Sequence, residues 1–378
     1  MPRSFFCIVI LIASAAMFLF SCAQDGGEPG GTPPDPGENG KSGPSEIDLR
    51  DRLEDLLSRM DFDQYLDVHH TRVEQGANGY TNYYFSTDDC RCFEGGEAHV
   101  SVSFGATDNV MLFLEGGGAK WPGGGFAVSL DFPFDISFKS RKPGNPLADW
   151  HFVYVPYCDA SVHSGDTVLE YSGKTRYHWG LRHTAAAVAL MTELFPDPGK
   201  ILVAGSSAGG FGTFYGWAVA KYAYLDTDTY VLNDSGVGFW NPDDPATWET
   251  IRQAWDLRIP EECARCDGPI QTYVYELFLE YDPQVRIGMF TSYGDWIISL
   301  MFLGMGQERF TATLLSVTDE IHRACPDRFN RFFVAGSTHT SYEFLFPQGP
   351  EYRVNGISMY EWIGQLVNDD PAWPDLLE

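Results

Sequence analysis

The sequence predicts an α/β protein built on a mostly parallel sheet, and three observations carry that prediction. From about residue 99, short apolar or β-branched runs alternate with longer segments of helical spacing, the order that builds strand, helix, strand units. The later runs are nearly continuous in apolar residues, as strands covered on both faces are. One run, "ILVAGSSAGGFGTF" at 201–214, passes from a strand straight into serines among glycines. Helices are therefore expected on both faces of the sheet, with ligands beyond the carboxyl ends of the strands.

Taken in order, the N-terminus reads as an address. Arg3, the apolar run "FFCIVILIASAAMFLF" and the ending "LFSC" resemble a lipoprotein signal over residues 1–21, with Cys22 as the lipidated residue. An ordinary secretory signal or a membrane anchor is the plainer alternative; all three imply export, and lipidation would tether the chain to a membrane or cell surface. Residues 22–45 are almost all Gly, Pro and acidic or small polar, with too little apolar surface to offset the entropy of ordering, so a flexible tether is expected. The remaining domain covers 46–378, where no segment has 18 uninterrupted apolar residues.

Within that domain the strand candidates are "HVSVSF", "NVMLFLEG", "HFVYVPYC", "ILVAGSS", "YVLND", "RIGMFTSY" and "RFFVAGST". Between them "WGLRHTAAAVALMTELF", "GFGTFYGWAVAKYAYL" and "RFTATLLSVTDEIHRAC" carry apolar residues three and four apart and read as helices. Residues 45–98, 120–150 and about 236–283 interrupt the alternation. The last carries three tryptophans and is either a cap over a pocket or a packing insertion.

Composition narrows the partners. With 52 acidic against 25 basic residues the net charge is −27, which opposes nucleic acid and, within the screening length of about 8 to 10 Å, polyanionic substrates. Six cysteines lie beyond Cys7 and Cys22: Cys90, Cys92, Cys158, Cys263, Cys266 and Cys325. An even number in an exported chain favours disulfides, although the pairing is open. "CARC" at 263–266 has no second pair at metal spacing, so no metal and no organic cofactor are expected.

The glycine-rich run supplies the chemistry. Gly205-Ser206-Ser207-Ala208-Gly209 is G-x-S-x-G between a strand and a helix, the context in which the central serine is lifted on a sharp turn. Ser207 is therefore the candidate nucleophile and Ser206 the minor one. A serine hydroxyl needs a base to take its proton. His339 follows the last strand candidate on the same sheet edge, whereas His69, His70, His183 and His322 fall before the core strands or inside helical patterns. Asp234 and Asp295 both end strands on that edge and both satisfy the order Ser, acid, His; the position after the next-to-last strand favours Asp295. "LEGGG" offers the backbone N–H groups of Gly117 and Gly118, with that of Ala208, as donors to an oxyanion. Trp121, Asp159 and His163 are further candidates for contact with substrate.

Jointly, "FLEGGG", "VPYCDASVHSG", "GSSAGGFGT", "NDSG" and "THT" resemble the pectinacetylesterase and Notum family over about residues 75–345. The resemblance implies a modified α/β-hydrolase fold that cleaves carboxylic esters, with the family's serine on Ser207, its acid on Asp295 and its histidine on His339. It also implies oxyanion donors at Gly117, Gly118 and Ala208, and makes Asp234 a sheet-end residue. The chain departs from the family where Ala119 and Lys120 precede Trp121, and where Thr340 follows the histidine in place of a cysteine. The expected partner is an acylated, above all acetylated, carbohydrate. A glycan-binding lipoprotein without turnover, and a lipase or peptidase on the same sheet, are the competing readings.

Overall fold

The computed structural model describes residues 46–131, 133, 135, 137–342 and 352–378. The signal, the tether and Cys22 lie outside the described residues. Ten strands form one sheet: β1 His70–Gln75, β2 Thr81–Phe85, β3 His99–Ser103, β4 Val110–Leu114, β5 His151–Val155, β6 Ile201–Ser206, β7 Thr229–Asp234, β8 Arg286–Ser292, β9 Phe329–Val334 and β10 Leu376–Leu377. Their order across the sheet is β1-β2-β3-β5-β4-β6-β7-β8-β9-β10. From β5 to β10 every neighbouring pair is parallel, while β1, β2 and β3 add an antiparallel flank.

Among the described residues eight α-helices accompany the sheet: α1 Glu46–Arg59, α2 Asp63–Leu66, α3 Gly180–Leu194, α4 Ala208–Ala223, α5 Pro245–Trp255, α6 Val274–Tyr281, α7 Gln307–Ala324 and α8 Met359–Val367. Alternation along the strands explains why both faces are apolar. In β6, Ile201 and Val203 pack among α3 and α4 residues, whereas Leu202 and Ala204 pack on the opposite face with Trp362 and Leu366 of α8. The crossovers that advance across the sheet, β5-α3-β6, β6-α4-β7 and β8-α7-β9, contribute helices to one face, as right-handed connections running in one direction must. The other face is covered by α8 with Phe138, Leu147 and Trp150 from the loop between β4 and β5. The α/β expectation thus holds, with helices unequally shared between the faces.

The parallel register levels the carboxyl ends of the strands: Leu114 and Asn233 both pair with Gly205, Ser206 pairs with Asp234, and Ser292 with Val334. Short backbone bonds prolong that edge, including Ser207 N–H to Asp234 O at 2.8 Å and Gly294 N–H to Gly336 O at 2.9 Å. Everything that follows these strands is gathered along one line.

The cysteines pair in part. Cys92–Cys158 joins the segment before β3 to the loop after β5, and "CARC" closes on itself as Cys263–Cys266. Cys90 departs from the even-number expectation, because it is a buried free thiol. Among the described residues no helix is long and apolar enough to cross a membrane, and no group of His, Cys, Asp and Glu has the arrangement of a metal site.

Candidate active site

Steric demand shapes the turn between β6 and α4. A Cβ on Gly205 would stand 2.1 Å from Gly209 O, and one on Gly209 would stand 1.8 Å from Leu114 O, so only glycines let strand and helix come this close. Ser207 between them takes φ 55° and ψ −118°, a backbone conformation costly for a residue with a Cβ, held by the strand below and the helix behind. Ala208 opens α4, so its N–H belongs to the first-turn donors that have no partner within the helix.

The strained turn aims Ser207 Oγ at His339, whose Nε2 lies 2.7 Å away. On the far side of the ring, Nδ1 is 2.8 Å from Asp295 Oδ2. Asp295 is fully buried, and its other oxygen accepts the N–H of Ile298 at 3.0 Å. Burial works to lower the His339 pKa, but the charge of Asp295 and its hydrogen bond outweigh burial and hold it above the ordinary value. The imidazole keeps 19% of its side-chain surface exposed, and Ser207 is 8% exposed, so both remain reachable from the pocket.

Asp234 has a different set of partners. Its oxygens accept the Ser341 N–H at 2.9 Å, the Ser341 hydroxyl at 2.7 Å and the Ser206 hydroxyl at 2.9 Å. It therefore ties the strand end of β7 to the loop two residues past His339, and desolvation raises its pKa. Of the two acids left open by the sequence, Asp295 is the one bonded to the imidazole. Ser206, fully buried on Asp234, points away from the pocket.

Gly117 and Gly118 follow β4 and enter a hairpin, Gly118–Trp121 with Gly124–Ala127, that folds over the edge near Ser207. Gly118 has φ 87°, the left-handed region that favours glycine. Its carbonyl accepts the Tyr157 hydroxyl, which also accepts the Val162 N–H at 3.2 Å. With Ser207 and Ala208, Gly118 borders a small pocket, otherwise walled by apolar side chains that include Val162, Phe211, Trp240, Ile298 and Phe302.

Two of the substrate-contact candidates are displaced. Asp159 and His163 are fully buried behind the pocket wall. Asp159 Oδ2 accepts the N–H groups of Ser161 and His163 at 2.8 and 3.1 Å and so holds a loop in which Ala160, Val162 and His163 all take positive φ. His163 Nε2 donates to Glu115 O at 2.8 Å, bracing the segment that leads into Gly116 to Gly118. Trp121 is buried as well and meets Trp240 edge-on at 5.7 Å, backing the wall from behind. The insertion at 236–283 is divided in the same way: Trp240 reaches the pocket, while Phe278 of α6 packs on Trp217 in the core.

Sequence reasoning passed over a buried ionic cluster beneath the glycines. Glu115 receives Lys139 Nζ at 2.8 Å, Tyr342 OH at 2.8 Å, Tyr154 OH at 3.1 Å and Gly116 N–H at 2.9 Å. Burial would raise the Glu115 pKa, yet the Lys139 charge and these donors leave it lowered. Its signal was a charge at the end of an otherwise apolar strand. The other omission is the apolar run "IISLMFL" after Asp295, which forms a π-helical turn, Ile297–Phe302, and supplies the Ile298 and Phe302 wall.

A nucleophile, a base and an orienting acid in line beside an apolar pocket can carry out acyl transfer. One comparison bears on that chemistry. The pectinacetylesterase family model matches residues 131–266. The matched segment contains Ser207 and Asp234 and ends before Asp295 and His339. The chain resembles the pectinacetylesterase family both in its motifs and through this match, which supports a carbohydrate-esterase-like hydrolase. No curated protein matches the chain.

Proposed function

We propose that this chain is an exported serine carboxylic-ester hydrolase that removes small acyl groups, acetyl above all, from a carbohydrate. The observation that carries the reading is the line Ser207–His339–Asp295 beside a small pocket walled by apolar side chains. Ser207 attacks the ester carbonyl as His339 Nε2 takes its proton, and Asp295 stabilises the imidazolium. The N–H groups of Gly117, Gly118 and Ala208 are the proposed donors to the oxyanion. Protonated His339 then gives its proton to the leaving alcohol, and water attacks the acyl-serine with the same histidine as base.

A neutral acetylated glycan suits a chain of net charge −27 better than anionic pectin does, since long-range repulsion slows the approach of a polyanion. The fatty-acyl alternative has one observation in its favour, the apolar character of the pocket wall. Purified protein assayed on p-nitrophenyl acetate, butyrate and palmitate, beside Ser207→Ala, separates the readings. Acetate should be the best substrate, and the variant should lose about 10⁶-fold in kcat. Undiminished hydrolysis in the variant would defeat the mechanism, absence of turnover by the unmodified protein would favour glycan binding alone, and preference for palmitate would move the substrate to lipids. Membrane tethering through lipidated Cys22 belongs to the same proposal, and a Cys22→Ser protein that stays membrane-bound would contradict it.

A further inference from the structure

Resting on that acyl-transfer reading, we infer that Phe302 sets the upper limit on the acyl chain admitted to the pocket. The other side chains of the apolar wall, Val162, Phe211, Trp240, Ile298 and Leu303, are buried. Phe302 is only half-buried, so its ring faces both the pocket and the solvent. The ring tip presses on the glycine strip beside Ser207: a Cβ on Gly118 would lie 3.0 Å from Phe302 Cζ. Phe302 also stacks on Phe126 of the hairpin, with centroids 4.8 Å apart and planes 29° from parallel. Two segments distant in sequence thus meet ring to ring at the mouth of the pocket.

What those segments expose gives the ring pair its meaning. Trp296, Leu300 and Met301 flank Phe302 in sequence, and Phe126 and Val128 belong to the hairpin and its end. These are five of the eight large apolar side chains exposed among the described residues. Scattered apolar side chains are ordinary on a protein surface, but here they concentrate on the two segments that carry Phe302 and Phe126. An acyl chain longer than the pocket must leave past the stacked rings to reach this strip. With the Phe302 ring in place a short acyl group fits and a long one is obstructed; without it, pocket and strip become continuous and a long chain gains apolar contact along its length.

The test compares kcat/KM for p-nitrophenyl acetate and octanoate in the unmodified protein, Phe302→Ala, Phe302→Leu and Phe126→Ala. The unmodified protein should favour acetate. Phe302→Ala should raise the octanoate-to-acetate ratio by about tenfold or more, with Phe302→Leu between. Phe126→Ala, which frees the ring without removing it, should shift the ratio in the same direction by less. An unchanged ratio in a Phe302→Ala protein of native thermal midpoint overturns the inference, as does an unmodified protein that turns over octanoate as readily as acetate. If Phe302→Ala does not fold, the ratio in Phe302→Leu decides by the same criterion. Ser207→Ala run alongside isolates the underlying reading, since turnover retained there removes the reading itself, whatever Phe302 does.

Discussion

Ser206 and Ser207 are neighbours with the same side chain, and the fold gives them opposite work. The extended strand turns the Ser206 hydroxyl inward to Asp234, and the positive φ of Ser207 turns the next one outward to His339. The two acids divide similarly, and their divergence can be measured. Asp295→Asn should lower kcat by about 10⁴-fold through loss of the imidazolium partner. It should also move the pH profile. In the intact protein kcat/KM should rise with pH through a value above 6.5, because the base must be neutral and Asp295 holds its pKa up. With that charge removed, burial is opposed only by the weaker pull of Asp234, so the limb should shift to lower pH. Asp234→Asn should reduce kcat far less while costing about 1 to 3 kcal/mol of stability through the disturbed bonds to Ser206 and Ser341. If instead Asp234→Asn abolishes turnover and Asp295→Asn leaves it, the roles are reversed.

At the level of elements, what could be read from the chain depended on how each element is buried. Strands β4 to β9 are covered on both faces and announced themselves as nearly continuous apolar runs, and α3, α4 and α7 followed from spacing. Strands β1 and β2 lie in a flank with much of its surface exposed; "HTRVEQ" has no apolar run and takes its place by pairing with β2. Strand β10 is two residues long and is defined only by β9 beside it. The same physics explains the site. Ser207, Asp295 and His339 follow strands that must end at one edge, so topology brings them together. Asp159 and His163 also follow a strand, but whether such a residue faces the pocket or the wall depends on backbone turns: Asp159 gathers N–H groups inward, a three-dimensional fact with no sequence period. The charge of Glu115 at a strand end was visible, but its partner Lys139, 24 residues on in another segment, was not.

Across the whole molecule, acid should be more damaging than a protein of net charge −27 would otherwise find it. Protonating carboxylates relieves self-repulsion, yet that relief comes largely below pH 5, near their ordinary pKa values. Two buried histidines act earlier. Desolvation pushes His178 down to about 4 and His183 down to about 4, against about 6.5 in the unfolded chain. Because their folded values are depressed, the unfolded state binds more protons as pH falls, so the stability they contribute is present above about 6.5 and is lost toward 4. Between pH 6.5 and 5 each should cost roughly 1 to 2 kcal/mol. His339 has the opposite sign: its raised value adds stability that is fully present well below 6.5 and disappears as pH rises through its folded value, so between 6.5 and 5 it offsets at most about 0.4 kcal/mol of the loss. The thermal midpoint should therefore fall on going from pH 6.5 to 5. His178→Gln, which cannot take the proton, should start from a lower midpoint at pH 7 but lose less over the same interval. An equal loss in the variant and the unmodified protein would show that the acid response lies elsewhere.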